Sequence, residues 1–222
     1  MKFVIAVLTV IAAYLIGSIN FAVIFTKAFT HTDVRDFGSG NAGTTNVLRV
    51  SGAKAGVLTF VADALKGAAA CLIGLFIFKY VLYSPDMPYF NAVYGKFICA
   101  FACMVGHCWP IFFQFRGGKA AAASVGIFAV CCPPAIVLGL IGFAICLLTA
   151  KMVSLGSLVA TTIVVLVTII SAFTGIIGNV NPFVISIIMI VCGAIVFYRH
   201  KDNIVRILNG TEKRFSIKNK NP

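Results

Sequence analysis

The amino-acid sequence predicts an all-α integral membrane protein with about seven transmembrane helices, two of them short, the N-terminus outside and the C-terminus inside. Three observations carry this. Of 222 residues, 60% are hydrophobic and only 11% charged. The apolar runs have bilayer-spanning lengths. Lysine and arginine fall overwhelmingly on one of the two faces that those runs define. A soluble domain carries about a quarter charged residues, and its core could not absorb this much apolar surface, whereas lipid tails are as apolar as leucine. Residues 1–222 therefore read as a single polytopic membrane domain, with no room for a soluble one.

The runs follow in order. Phe3 to Thr26 is 24 residues without a charge, and about 20 suffice to cross a hydrocarbon core of about 30 Å. It is too long for a signal-peptide core, and no small-residue cleavage site follows. Gly67 to Phe78, with weakly charged flanks through Tyr83, is a second span. Asp63 and Lys66 sit at its entry, where ionisable groups should pair or line a cavity. Phe97 to Phe115 is a third, broken near Trp109-Pro110. Ala120 to Ala150, 31 uncharged residues, is too long for one helix at about 1.5 Å per residue and too short for two full spans. Pro133-Pro134 must break it, giving two short helices that meet in a turn. Five crossings with a re-entrant segment is the alternative. Met152 to Tyr198 holds two spans with a turn between Thr174-Gly175 and Asn181-Pro182.

Seven crossings place Lys27, Arg35, Arg49, Lys54, Arg116, Lys119 and Lys151 on one face, with Arg199, Lys201, Arg206, Lys213, Arg214, Lys218 and Lys220. Only Lys2, Lys79 and Lys96 lie on the other. The excess belongs in the cytoplasm. Much of the net charge of +12 is thus topological, and anionic lipid adds to its use. No basic face is separate from the membrane, so nucleic acid is not an expected partner. The eight cysteines all fall in apolar stretches without zinc or disulfide spacing and read as small apolar side chains. No metal site is expected.

Three segments, 31–54, 106–124 and 199–214, are unlike ordinary loops. The first contains Gly38-Ser39-Gly40-Asn41-Ala42-Gly43-Thr44-Thr45-Asn46 and then Arg49. Its glycines let the backbone approach a ligand, exposed N–H groups form an anion concavity, and Arg49 suits a phosphate. A flexible polar turn is the plainer reading, and the Gly-Lys-Ser/Thr ending of a Walker loop is missing. The second runs from Gly106-His107 through Trp109-Pro110 and Phe112 to Phe115 into Arg116-Gly117-Gly118-Lys119. That places an aromatic platform beside two cations and free backbone donors, which fits a lipid-like ligand with a phosphate head. Its plainer reading is an aromatic belt, with His107 a helix-end histidine. In the third, Ile204, Ile207 and Leu208 have helical spacing. His200 and Asn203 share a face, and Gly210 is placed to end the helix. An amphipathic surface helix is the plainer reading. A short polar island, Lys151 with Ser154 and Ser157, remains.

Only six acidic residues argue against hydrolysis by paired carboxylates. Cations and backbone donors suit group transfer from an activated donor. A carrier for an anionic phosphorylated metabolite is the rival class, with the Pro133-Pro134 break as its broken helix; its polar sites would lie near the midplane rather than at one face.

The chain resembles the bacterial acyl-phosphate-dependent glycerol-3-phosphate acyltransferases, the PlsY family, over essentially its whole length. The first motif is similar at Gly38-Ser39-Gly40-Asn41 through Asn46 and Arg49. The second is similar from Gly106-His107 to Gly117-Gly118-Lys119, and the third at His200, Asn203, Ile204, Arg206, Gly210 and Glu212. Asp63 with Lys66, and Lys151 with Ser154, resemble family features too. This chain departs from the usual pattern at Thr44 (for Ala), Trp109 (for Phe), Arg116 (for Lys), Ala120 (for a third Gly) and Ala123 (for Thr).

The resemblance implies transfer of a fatty acyl group from acyl phosphate to the sn-1 hydroxyl of glycerol-3-phosphate, the first acylation of bacterial phospholipid synthesis. The products are lysophosphatidate and phosphate. It implies no cofactor, a multi-pass protein of the bacterial cell membrane and an active site at the cytoplasmic face. Bilayer lipid surrounds the protein, and the soluble acyl-phosphate synthase is a candidate partner. On this reading Ser39, Arg49, Lys119, His200 and Asn203 are the catalytic set that holds the phosphates. Gly40, Asn41, Gly43, Thr45, Asn46, His107, Gly117, Gly118 and Ser154 bind substrate, the glycines through backbone donors. Glu212, Asp63 and Lys66 are structural. The hydroxyl proton goes to His200 or to a substrate phosphate, with the phosphate favoured.

Overall fold

The computed structural model describes residues 1–215 and is helical throughout, with no strand among them. Lys218 and Lys220 lie outside the described residues. The helices are α1 (Lys2–Gly17), α2 (Phe21–Thr30), α3 (Thr44–Ile77), α4 (Ala92–Cys108), α5 (Ala121–Cys131), α6 (Pro133–Thr149), α7 (Val153–Phe173), α8 (Pro182–Arg199) and α9 (Lys201–Leu208). Five stretches are long and apolar enough to cross a membrane, and α5 and α6 are shorter apolar helices. The chain is a multi-pass integral membrane protein.

The first span differs from the single helix expected over Phe3–Thr26. It is two helices separated at Ser18–Asn20. A break inside the bilayer exposes backbone polar groups that lipid cannot satisfy. Asn20 caps α2 by accepting from the Val23 N–H at 3.2 Å. Lys66 reaches across from α3 and donates to the Ile19 carbonyl at 2.6 Å.

This contact corrects the placement of Asp63 and Lys66. They are not at the entry to a span. The α3 helix begins at Thr44, bends once at Gly52 (φ 81°) and carries both residues well inside. Both are buried, with an ion pair at 2.8 Å; His107 Nδ1 lies 3.6 Å from Asp63 Oδ1. Counting charge-free residues starts the span after its last charge, whereas partnered charges can lie inside it.

Lipid supplies no hydrophobic force between helices, so close backbone approach and dispersion hold them. A Cβ on Gly17 of α1 would stand 2.2 Å from the Cys103 carbonyl of α4, and one on Gly126 of α5 would stand 1.7 Å from the Ala64 carbonyl of α3. These crossings fix α4 and α5 against the rest, and both lead into the second motif.

The α5–α6 pair confirms the expected break, at Cys132 (φ −155°, ψ 82°). The 11 residues of α5 extend only about 16 Å, well short of the core. Its terminal carbonyl, at Cys131, is not left bare: Lys96 of α4 donates to it at 3.0 Å. Beyond the turn, α7 and α8 match the two expected spans, and α9 ends before Gly210 (φ 68°) as expected. Because the helices alternate in direction, α3, α5, α7 and α9 all bring their N-terminal residues to one cavity.

Candidate active site

The cavity has a volume of about 770 Å³. Its lining contains Ser39, Arg49, Lys119, His200 and Asn203, together with Gly40, Asn41, Gly43, Thr45, Asn46, His107, Gly117, Ser154, Asp63 and Glu212. Residues up to 175 positions apart in the chain thus meet in one place. Seven cations line it (Arg49, Arg116, Lys119, Arg199, Lys201, Arg206, Lys213) against three acids (Asp63, Asp202, Glu212). Of those acids, Asp63 is paired with Lys66 and Glu212 with Arg206. The first turns of four helices add their partial positive charge.

The first loop is stiffer than a flexible turn. The Asn46 side chain is 2% exposed. Its Oδ1 accepts from the Ser39 N–H, and its Nδ2 donates to the Val34 and Phe37 carbonyls, each at 2.9 Å. Asn46 is therefore the organiser of the loop rather than a free ligand, and it leaves the Ser39 hydroxyl exposed above it. The Gly40 and Gly43 N–H groups are bonded within the loop, to Phe37 and Asn41 carbonyls. The expectation that these glycines offer backbone donors therefore needs correcting. Thr44 and Thr45, in the first turn of α3, add N–H groups that lack intrahelical partners. Thr44 also lines the cavity with its hydroxyl buried and unpaired among the described residues; in the sequence it is one of the first motif's three hydroxyls, with Ser39 and Thr45, and a departure from a family pattern.

The second loop is held in place by an arginine from α8. Arg199 donates from Nε to the Gly118 carbonyl at 3.0 Å and from Nη2 to the Gly117 carbonyl at 2.8 Å. It also packs over the Trp109 ring, 5.7 Å from its centroid. The Gly118 N–H bonds to the His107 carbonyl, and Gly118 is not part of the lining. A Cβ there would lie 2.3 Å from His107 Nε2 and 2.7 Å from the Ala42 carbonyl. Gly118 is thus a spacer rather than a ligand contact. Arg35 joins the two loops: it pairs with Asp33 at 2.8 Å and donates to the Phe113 carbonyl at 3.0 Å. Arg35 and Arg199 both looked merely topogenic in sequence, because the carbonyls they hold are about 80 positions away. Ala120 takes φ 62°, the left-handed region, which glycine adopts without steric cost. That gives a physical reason for glycine to be usual there.

In the third segment, Glu212 is the hub. Its Oε1 accepts from Ser154 Oγ at 2.8 Å and Asn203 Nδ2 at 2.7 Å, and its Oε2 from Arg206 Nε at 2.7 Å. Burial pushes this carboxyl up, but those three hydrogen bonds outweigh it and leave it below its ordinary value. With its amide nitrogen committed to Glu212, Asn203 turns Oδ1 to accept from the Lys119 ammonium. Burial, with Arg206 nearby, brings Lys119 down to about 8. Burial also lowers His200 to about 4, with Lys119 contributing. His200 is therefore neutral at pH 7. Its Nδ1 lies 2.8 Å from the Val196 carbonyl and must carry the proton there, leaving Nε2 an acceptor.

Below the polar rim the cavity becomes apolar, lined by Phe128, Ile136, Leu140, Val164, Met189 and Val196 among others. Fold and site together define a membrane enzyme whose cavity has a cation-rich rim at the mouth of an apolar groove. A family model described as glycerol-3-phosphate acyltransferase matches residues 7–210, and this chain belongs to that family. It is 42% identical to the glycerol-3-phosphate acyltransferase of Thermoanaerobacter sp. strain X514 over 216 residues, 96% of this chain and 97% of the relative. It is 38% identical over 208 residues to glycerol-3-phosphate acyltransferase 2 of Bacillus anthracis, 94% and 98% of the two chains. Its fold matches the crystal structure of PlsY (YgiH), an integral membrane glycerol 3-phosphate acyltransferase, in its glycerol 3-phosphate form. The TM-score is 0.79 with 33% identity, over 95% and 96% of the two chains. The lysophosphatidic acid form of the same protein matches with a TM-score of 0.74 and 32% identity, over 95% of each chain.

Proposed function

We propose that this single-domain protein acylates the sn-1 hydroxyl of glycerol-3-phosphate with acyl phosphate as donor, releasing lysophosphatidate and phosphate at the cytoplasmic face of the bacterial cell membrane. The observation that carries this reading is the cavity itself, where all three motif segments meet and an anion-holding rim opens into an apolar groove. The Pro133-Pro134 break, on which a transport reading would rest, does not contribute to that rim.

Acyl phosphate is a mixed anhydride with a good leaving group, so the barrier left to the enzyme is bringing two anions together in a reactive geometry. Positioning of this kind is worth about 7–11 kcal/mol in favourable cases. Arg49, Ser39 and the first turn of α3 hold one phosphate; Lys119, aligned by Asn203, and the first turn of α9 hold the other. The acyl chain lies between helices in the apolar groove. The hydroxyl oxygen attacks the acyl carbon, the tetrahedral centre collapses and the carbon–oxygen bond to phosphate breaks. The hydroxyl proton passes to a substrate phosphate, whose second pKa is about 6. His200, at about 4, is the weaker base and serves as the neutral acceptor that orients the hydroxyl.

Purified protein given acyl phosphate and labelled glycerol-3-phosphate should form labelled lysophosphatidate. Liposomes that move the labelled metabolite across the bilayer without acylating it would overturn the reading. An Arg49→Ala variant should raise the Michaelis constant for glycerol-3-phosphate, and an unchanged constant would remove Arg49 from the phosphate site.

A further inference from the structure

The apolar groove has a floor. Along α8 the lining residues are Met189, Cys192, Gly193 and Val196, one stripe at helical spacing. Along α7 the stripe ends at Val164 and Val165. One turn deeper, Ile185 and Thr168 are fully buried and do not line the cavity. Met189 itself is 1% exposed and Ile136 9%; both belong to the packed core that includes Ile185 and Val164. The groove is therefore closed where α6, α7 and α8 converge.

Its depth follows from α8. From His200 to Met189 along α8 is 11 positions, or about 16 Å at about 1.5 Å per residue. An extended chain advances about 1.2 Å per bond, one third of the span of an extended residue. The distance from rim to floor thus takes about fourteen carbons. A longer chain must turn sideways into lipid, where each further methylene gains nothing over its place in the bilayer.

We propose that Met189, in the same packed core as Ile136, is a ruler that sets the acyl-chain length this enzyme prefers. Gly193 keeps the passage to that floor open. The inference rests on the acyl-transfer reading and adds the residues that select the donor. A Cβ on Gly193 would stand 3.1 Å from Val165 Cγ2, so a larger side chain closes the groove between α7 and α8. Gly193 is 7 positions from His200, a depth of about 10 Å, or about nine carbons.

The test is the ratio of kcat/KM for a 16-carbon over a 12-carbon acyl phosphate, measured on purified protein in detergent. Met189→Ala deepens the groove, so that a 16-carbon chain no longer turns aside at the floor, and should raise the ratio several-fold. Gly193→Val should lower it comparably, so the proposal stays testable if one variant fails to fold. Ile190→Ala, on the exposed side of α8 next to Met189, should leave it unchanged. Wild-type protein that forms no lysophosphatidate would remove the acyl-transfer reading. Active enzymes with one common ratio, or an equal shift in Ile190→Ala, would remove the ruler and leave that reading intact.

Discussion

Replacing Glu212 by glutamine tests the most connected contact in the site. The carboxylate, its side chain 6% exposed, accepts hydrogen bonds from Ser154, Asn203 and Arg206. Glutamine preserves the shape and cannot preserve the pattern. If its oxygen faces Ser154 and Asn203, its NH2 meets the Arg206 N–H, donor against donor. If its NH2 faces Asn203, Asn203 must flip and present its own NH2 to the Lys119 ammonium. In the first, cheaper arrangement two charge-assisted bonds become neutral ones, a loss of about 1 kcal/mol in total. The Arg206 bond is lost too, and because Arg206 is 39% exposed and turns to solvent, that adds only about 1 kcal/mol. A sum of about 2 kcal/mol, expressed in the alignment of Asn203 with Lys119, lowers kcat/KM about thirty-fold. Initial rates of lysophosphatidate formation, with helicity checked by circular dichroism, measure it. A folded Glu212→Gln enzyme with wild-type kcat/KM would show that Glu212 does not set the Asn203–Lys119 contact.

Four further outcomes follow from the same geometry. Lys119, at about 8, loses its charge as pH rises through that value, so kcat/KM should fall on the alkaline side; Lys119→Arg, which stays protonated, should move that limb upward, and a limb that does not move would assign it elsewhere. His200 stays neutral down to about 4, so any acid limb near 6 belongs to the substrate phosphate and should persist in His200→Gln. Arg199→Ala removes both bonds to the glycine carbonyls and should cost about ten- to a hundred-fold in kcat/KM while α8 remains helical, which paired rate and dichroism measurements would show. Gly118→Ala forces a methyl group against the His107 ring and should cost about 1–3 kcal/mol of stability, read as a lower melting temperature in detergent.

The spans were legible in sequence because lipid imposes a length and a polarity that any crossing segment must meet. The paired prolines at 133 and 134 marked the α5–α6 turn for an equally local reason. The three motif segments were legible as glycines, hydroxyls and cations that a bilayer protein does not otherwise collect. The break at Ser18–Asn20 and the depth of Asp63 and Lys66 were not legible, because each makes the other tolerable: the lysine satisfies a carbonyl 47 positions away. Nor could sequence separate Asn46 and Gly118, which shape the loops, from Ser39 and Lys119, which face the cavity. That division depends on which hydrogen bonds are already occupied. The sequence by itself determined a helical membrane enzyme with an anion site near one face. Only the tertiary structure decided that four helix N-termini and seven cations share one cavity, with Arg35 and Arg199 holding its loops in place. Charge and hydrogen-bond partners add up in space, and positions distant along the chain become neighbours only when the helices pack.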